Sequence, residues 1–237
     1  GYVGLYAAGG LPALLGATVC ASGAAFGLAF TLPREAAPAR REREAVRTPG
    51  GLGRLLASRQ AWLLMGLLAA LSVGRLLVNF FYAERLGACG LGELWMTPVI
   101  LGYSCIQMLA APILGRVRRQ KWAVAGFCAA AGVGMALLGV ARQAVPALAL
   151  MLVLPLLLAV PGCIVSLWQN ALIDRQGQAE RRAEALSAFH MASSVFELAF
   201  LTGSSAIAAL GPAACFGAAG AALACLGAAA LCGGPKQ

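Results

Sequence analysis

Charge is what this sequence lacks most. Only 11% of its 237 residues are Asp, Glu, Lys or Arg, against about 25% in an ordinary soluble domain. With 60% of the residues hydrophobic, too little polar side chain remains to coat a globule, so most of the exterior must face lipid. Histidine is equally scarce, His190 being the single one. The eight cysteines form no C-x-x-C pair and no Cys/His cluster, which removes the usual zinc and disulfide frameworks. Cys20, Cys105, Cys128, Cys163, Cys215 and Cys225 sit inside apolar runs and read as small packing residues, with only Cys89 in an expected outer loop. No metal or cofactor is expected. The opening Gly1-Tyr2-Val3-Gly4 has no basic n-region of a signal peptide, and the chain is expected to begin in the middle of a longer protein.

The net charge of +9 does not indicate nucleic acid. A nucleic-acid binder gathers its basic residues on one face within ordered polar surface. Here they lie in short segments between long apolar runs, the pattern that orients membrane proteins.

A spanning helix needs about 20 mostly apolar residues. Such runs fall near 11–32, 60–83, 97–117, 121–141, 145–170, 184–209 and 212–233. The expected fold class is an all-α polytopic membrane protein with about seven transmembrane helices. Segment 33–59 is the one long loop, broken by Pro33, Pro38, Pro49 and Gly50-Gly51. It divides the chain into a first helix (1–32), a linker (33–59) and a six-helix block (60–237). Lys and Arg alternate between rich and poor loops, 15 against 2, with Arg75 left inside a span. Positive charge stays on the cytoplasmic side, so the first helix enters from outside and the tail at Lys236 is cytoplasmic.

Polar side chains are distributed unevenly among the spans. Ser72, Arg75, Asn79 and Tyr82 recur at intervals of three, four and three, which puts all four on one helical face. Ser187, His190, Ser194 and Glu197 repeat the pattern in the sixth span. The third span holds Tyr103 and Gln107 one turn apart, and the fifth holds Ser166, Gln169 and Asn170 with Asp174 at its cytoplasmic end. In their interiors the fourth and seventh spans carry nothing more polar than Cys, and the first only Thr18 and Ser22. Ionisable groups are expensive in a bilayer and usually line protein or water. The second, third, fifth and sixth spans are therefore expected around a polar cavity, with the first, fourth and seventh against lipid. The alternative is that these groups only bond helices to one another.

Counted from the cytoplasmic starts of their helices, Arg75 and Glu197 lie about 22 and about 20 Å deep. That similarity makes an Arg75–Glu197 ion pair, or proton exchange at Glu197, a reasonable expectation. His190 is a second titratable candidate, although a lone His is more often an ordinary hydrogen-bonding residue. Pro155, Pro161 and Gly162 are expected to interrupt or kink the fifth span.

Several short motifs bring a family into view. Leu32-Pro33-Arg34-Glu35 resembles the Leu-Pro-Glu ending of the sixth helix in the major facilitator superfamily. Gly115-Arg116-Val117-Arg118-Arg119-Gln120-Lys121 resembles a degenerate copy of that family's basic loop after the eighth helix, without its usual Asp. Arg181-Arg182-Ala183-Glu184-Ala185-Leu186-Ser187, after Asn170-Ala171-Leu172-Ile173, is similar to the approach to the eleventh helix in many bacterial members. The resemblance covers the whole chain as helices six to twelve. It implies two rocking bundles with inverted three-helix repeats, and cavity positions for the seventh, eighth, tenth and eleventh helices. It also implies a cytoplasmic gate in which Asp174 faces Arg116, Arg118 and Arg119, the alternative being that these basic residues are a solvated loop that only sets topology.

The expected function is secondary active transport of a small organic solute or drug, coupled to protons, and not an enzymatic reaction. The implied partners are the lipid bilayer, a small-molecule substrate and the N-terminal six-helix half. The implied location is a bacterial inner membrane. A seven-helix receptor shares the topology, but the last span has no Lys and Asp174-Arg175-Gln176 follows the fifth span rather than the third. An intramembrane serine protease would need a nucleophile beside a base, and only Ser22 and His190 offer material. A protein of the same fold that does not transport is the remaining alternative.

Overall fold

In hydrocarbon a peptide group finds no water, so an apolar run that crosses it must satisfy its own backbone, and a helix does so within one segment. The computed structural model of the protein describes residues 58–175, 182–208 and 211–234, and among them every long element is an α-helix and no strand occurs. All of them belong to one unit, Gly50–Gln237. The helices are α1 (Arg59–Ala88), α2 (Met96–Met108), α3 (Ala110–Leu114), α4 (Gln120–Val140), α5 (Ala144–Arg175), α6 (Arg182–Ala208) and α7 (Pro212–Gly233). Five helical segments are long and apolar enough to cross a membrane: α1, α2 with α3, α4, α5 and α7. The chain is thus an all-α, multi-pass membrane protein. The span expected at 11–32 and the linker up to residue 57 lie outside the described residues.

Local chemistry sets the helix ends. Ser58 caps α1, its hydroxyl accepting the Ala61 N–H at 3.1 Å. The far end closes where Gly90 takes φ +83, a left-handed conformation that glycine adopts without penalty. Its N–H bonds the Gly87 carbonyl at 2.9 Å, and the Leu91 N–H reaches back to Leu86 at 3.0 Å, the paired bonds of a Schellman motif. At the start of α7, Gly211 has φ +102 and is followed by Pro212 at the first helical position.

Three sequence expectations need correction. An apolar run ending at residue 83 puts Glu84 and Arg85 beyond the second span, but α1 runs through them to Ala88, because Arg85 finds partners on α4. The span 97–117 is not one helix: it breaks at Leu109 between α2 and α3. Pro112 supplies the reason, since its ring meets the carbonyl four residues back, at Met108, and it has no N–H to return. Conversely, Pro155 and Pro161 do not interrupt the fifth span. Both lie inside a continuous 32-residue α5, and both are buried.

α1 and α5 form the middle of the bundle. α1 packs on α5, α6 and α7, and α5 also meets α2, α3 and α4. Leu67, Leu71, Met135, Leu138, Met151, Leu154, Leu158 and Phe216 are fully buried between them. The most intimate contact joins α4 to α7. Ala125 meets Gly227, Gly132 meets Gly220, and Gly139 meets Ala213. Each step is seven residues, two helical turns, and one number rises as the other falls, so the helices run antiparallel. Small residues at each meeting point let the two backbones touch, which is how helices associate where no hydrophobic effect drives them together.

Candidate functional site

Four polar residues of α1 lie on one face of a continuous helix, as their spacing predicts. Arg75 is half-buried and donates to the Ser72 hydroxyl one turn back at 3.3 Å. One and two turns onward are Asn79, which is exposed, and Tyr82, which is half-buried. Among the described residues α2 rests on α5 and scarcely touches α1, so α1 and α2 splay and a recess opens between them. Val78, Asn79, Tyr82, Val99, Ile100, Tyr103 and Met151 line it, a narrow cleft of about 10 Å³. Tyr103 is only 8% exposed and its hydroxyl has no hydrogen-bond partner. A buried hydroxyl left unpaired is costly and asks for an explanation. Arg75 lies one turn before Asn79 on the same face of α1.

The structure therefore brings together Asn79, Tyr82 and Tyr103, with Arg75 one turn away along α1. Gln107, one turn along α2 from Tyr103, is half-buried. The other sequence candidates lie elsewhere. Gln169 is 18 residues along α5 from Met151, about 27 Å of helix away from the recess. It is 3% exposed and its Nε2 has no partner. Its neighbour Asn170 accepts a hydrogen bond from Arg182 Nε at 3.2 Å, tying the start of α6 to the end of α5.

α6 carries His190, Ser194 and Glu197 as expected, but not level with Arg75. The Phe196 ring meets Trp62 edge-on at a centroid distance of 5.4 Å. Glu197 therefore sits level with the first turns of α1, whereas Arg75 is 13 residues farther on, about 20 Å. The bond that Arg75 makes is to Ser72 within its own helix. Equal depth would hold only if both helices began at one plane, and they do not. The Ser193 and Ser194 hydroxyls both donate to the His190 carbonyl, at 2.9 and 3.0 Å. Such back-bonding satisfies a hydroxyl without any partner helix. His190 itself is exposed.

At the expected gate, Arg116, Arg118, Arg119 and Asp174 are all exposed, and among the described residues no ion pair joins them. A different polar contact bridges these helices: Trp168 Nε1 donates to Gln120 Oε1 at 2.8 Å, linking α5 to the first residue of α4. A second unforeseen contact is made by Arg85. Its guanidinium donates to the carbonyls of Leu138 and Ala141 at 3.1 and 2.8 Å, at the C-terminal end of α4. The Cys89 thiol reaches the same Ala141 carbonyl at 3.5 Å. Nothing local to Arg85 signals this, because its partners are 53 and 56 residues away.

No family model, curated protein or solved structure matches the chain. Its function is read from the residues themselves. In the recess these offer two phenols and one carboxamide within an otherwise apolar wall, with the guanidinium of Arg75 one turn along α1 from Asn79.

Proposed function

We propose that this chain is the C-terminal part of a secondary active transporter of the major facilitator type. In this reading it moves a small organic solute or drug by alternating access, with proton coupling, in a bacterial inner membrane. The tail is cytoplasmic, and an N-terminal six-helix half completes the pathway. One observation carries the reading: within an apolar bundle, a cleft lined by Asn79, Tyr82 and Tyr103 lies one turn from the charge of Arg75, and the buried Tyr103 hydroxyl has no partner. Packing alone has no use for a buried hydroxyl without a partner or for a cation within a span. The motifs at Leu32–Glu35, Gly115–Lys121 and Arg181–Ser187 support the family assignment. Glu197 is retained as the proton-exchanging group, but not as the partner of Arg75. Arg116, Arg118 and Arg119 act as the topogenic loop.

The test uses the longest reading frame that encodes the chain, with its native cysteines replaced and Asn79→Cys introduced. Membrane-impermeant maleimide is applied to right-side-out and to inverted vesicles. Alternating access predicts labelling of the new thiol from both sides. Labelling from one side only, or from neither, would refute the transport reading.

A further inference from the structure

Cations crowd the end of the bundle where α4 begins. Trp168 ties the last turns of α5 to Gln120, and the stem of Lys121 lies against Gly234 at the end of α7. Here the chain places Arg116, Arg118, Arg119 and Lys121 within six positions, with no carboxylate between them. The three arginines are exposed, and no hydrogen bond or ion pair among the described residues engages them. Asp174 lies six residues beyond Trp168, about 9 Å farther along α5. Glu184 belongs to α6, which scarcely touches α4. At the far end of α4, by contrast, Arg85 is engaged by the Leu138 and Ala141 carbonyls.

The turn that carries the arginines is fixed. The Arg116 N–H donates to the Ile113 carbonyl at 3.0 Å and the Val117 N–H to Leu114 at 3.1 Å, while Val117 packs against the core. Just beyond, Trp122 stands in the first turn of α4, 66% exposed. Gly126, Ala129, Val133, Leu137 and Val140 continue the same exposed face at steps of three and four.

Cations, an exposed indole and then hydrocarbon follow one another along this face, as do the headgroup, glycerol and chains of a lipid. We propose that the start of α4 binds an anionic phospholipid in preference to a zwitterionic one. Arg116, Arg118 and Arg119 hold the phosphate, Trp122 lies at the glycerol level, and an acyl chain runs along Gly126, Ala129 and Val133. Charge complementarity selects this occupant. An interfacial indole suits any lipid, but guanidiniums pair phosphate through a planar fork, and a cluster without a carboxylate favours a headgroup of net negative charge. A choline headgroup brings its own cation, which three guanidiniums repel. The inference goes beyond the transport reading and stands without it.

The full chain in phosphatidylcholine nanodiscs tests this. A minor fraction of the lipid is replaced by phosphatidylglycerol brominated on its chains, or by equally brominated phosphatidylcholine; bromine quenches an indole at contact range. Trp62→Phe and Trp95→Phe leave Trp122 as the reporter, over a constant background from the buried Trp168. Phosphatidylglycerol should be favoured at Trp122 at least about fivefold, the effect of one cation at a membrane surface, and less so as salt rises. A companion protein that keeps Trp95 instead of Trp122 reads the opposite end and should show no preference. Arg116→Gln, Arg118→Gln and Arg119→Gln together should abolish the preference at Trp122, whereas Arg59→Gln with Arg182→Gln should leave most of it. Equal quenching by the two lipids at Trp122 would overturn the proposal, as would the same preference at Trp95. So would a loss equally large in the α1 and α6 variant, which would mean diffuse surface charge. Abolition by excess soluble glycerol phosphate would mean a free-phosphate site and overturn the lipid. The comparison of Trp122 with Trp95 keeps every arginine, so the proposal stays falsifiable even if the triple variant does not fold.

Discussion

The contact between α4 and α7 makes a quantitative prediction about Gly132. A Cβ added there lands on the carbonyl of Gly220, closer than real Cβ atoms approach, and that carbonyl is backbone in the middle of a helix. It has no rotamer to turn, so Gly132→Ala must push the two helices apart or deform one of them. Overpacking of this kind costs about 1–3 kcal/mol, and the unyielding neighbour argues for the upper end. Replacing glycine by alanine in a helix returns about 0.5–1 kcal/mol of backbone entropy, leaving a net loss of about 2 kcal/mol. Gly126 provides an internal control on the same helix, because nothing lies within 4 Å of an added Cβ. Gly126→Ala should therefore keep only the favourable part, about 0.5–1 kcal/mol. The two variants make the same chemical change in one helix, so their difference, about 2–3 kcal/mol, isolates the steric contact. Reversible unfolding in mixed micelles with rising SDS, followed by circular dichroism, measures it. Gly132→Ala as stable as Gly126→Ala would refute the interlocked seam.

Two further substitutions probe the helix ends. Arg85→Met removes both bonds to the α4 carbonyls of Leu138 and Ala141. In the same unfolding assay it should destabilise by about 1.5–3 kcal/mol, as expected for hydrogen bonds from a charged donor, with Arg85→Lys recovering part of the loss through its charge at a helix C-terminus. Pro112→Ala restores an N–H four residues after Met108 and should fuse α2 and α3. Slowed amide exchange at residue 112, with a continuous helix by NMR, is the expected outcome; an unchanged break at Leu109 would show that packing on α5, not proline, sets it.

How far hydropathy locates the helix ends differs from helix to helix. The boundaries expected at 212–233 coincide with α7, and those at 121–141 fall within one residue of α4, because in both cases the apolar run ends where the helix does. α1 and α5 outrun their apolar segments by about one turn. Charged residues such as Arg85 and Asp174 end a hydropathic run, but they do not end a helix that has partners or water for them. Proline shows the same dependence on context. Pro112 ends a helix, whereas Pro155 and Pro161 are carried inside α5, where packed neighbours on several sides hold the helix together across the missing N–H groups.

Polar periodicity singled out the face of α1 correctly, because spacings of three and four within one helix follow from its 3.6-residue turn. Between helices that logic gives no purchase. Counting depth from each helix start puts Arg75 level with Glu197, whereas the Trp62–Phe196 contact offsets α6 along α1 by about 20 Å. Composition and local pattern thus determined that the chain is helical, that it belongs in a membrane and which residues share a helical face, since each follows from backbone hydrogen bonding and hydrocarbon. Tertiary structure alone decided which faces meet. Gly132 against Gly220, Arg85 on the end of α4, and Tyr103 beside Asn79 all depend on the relative sliding of helices, which is set by packing between residues distant in sequence.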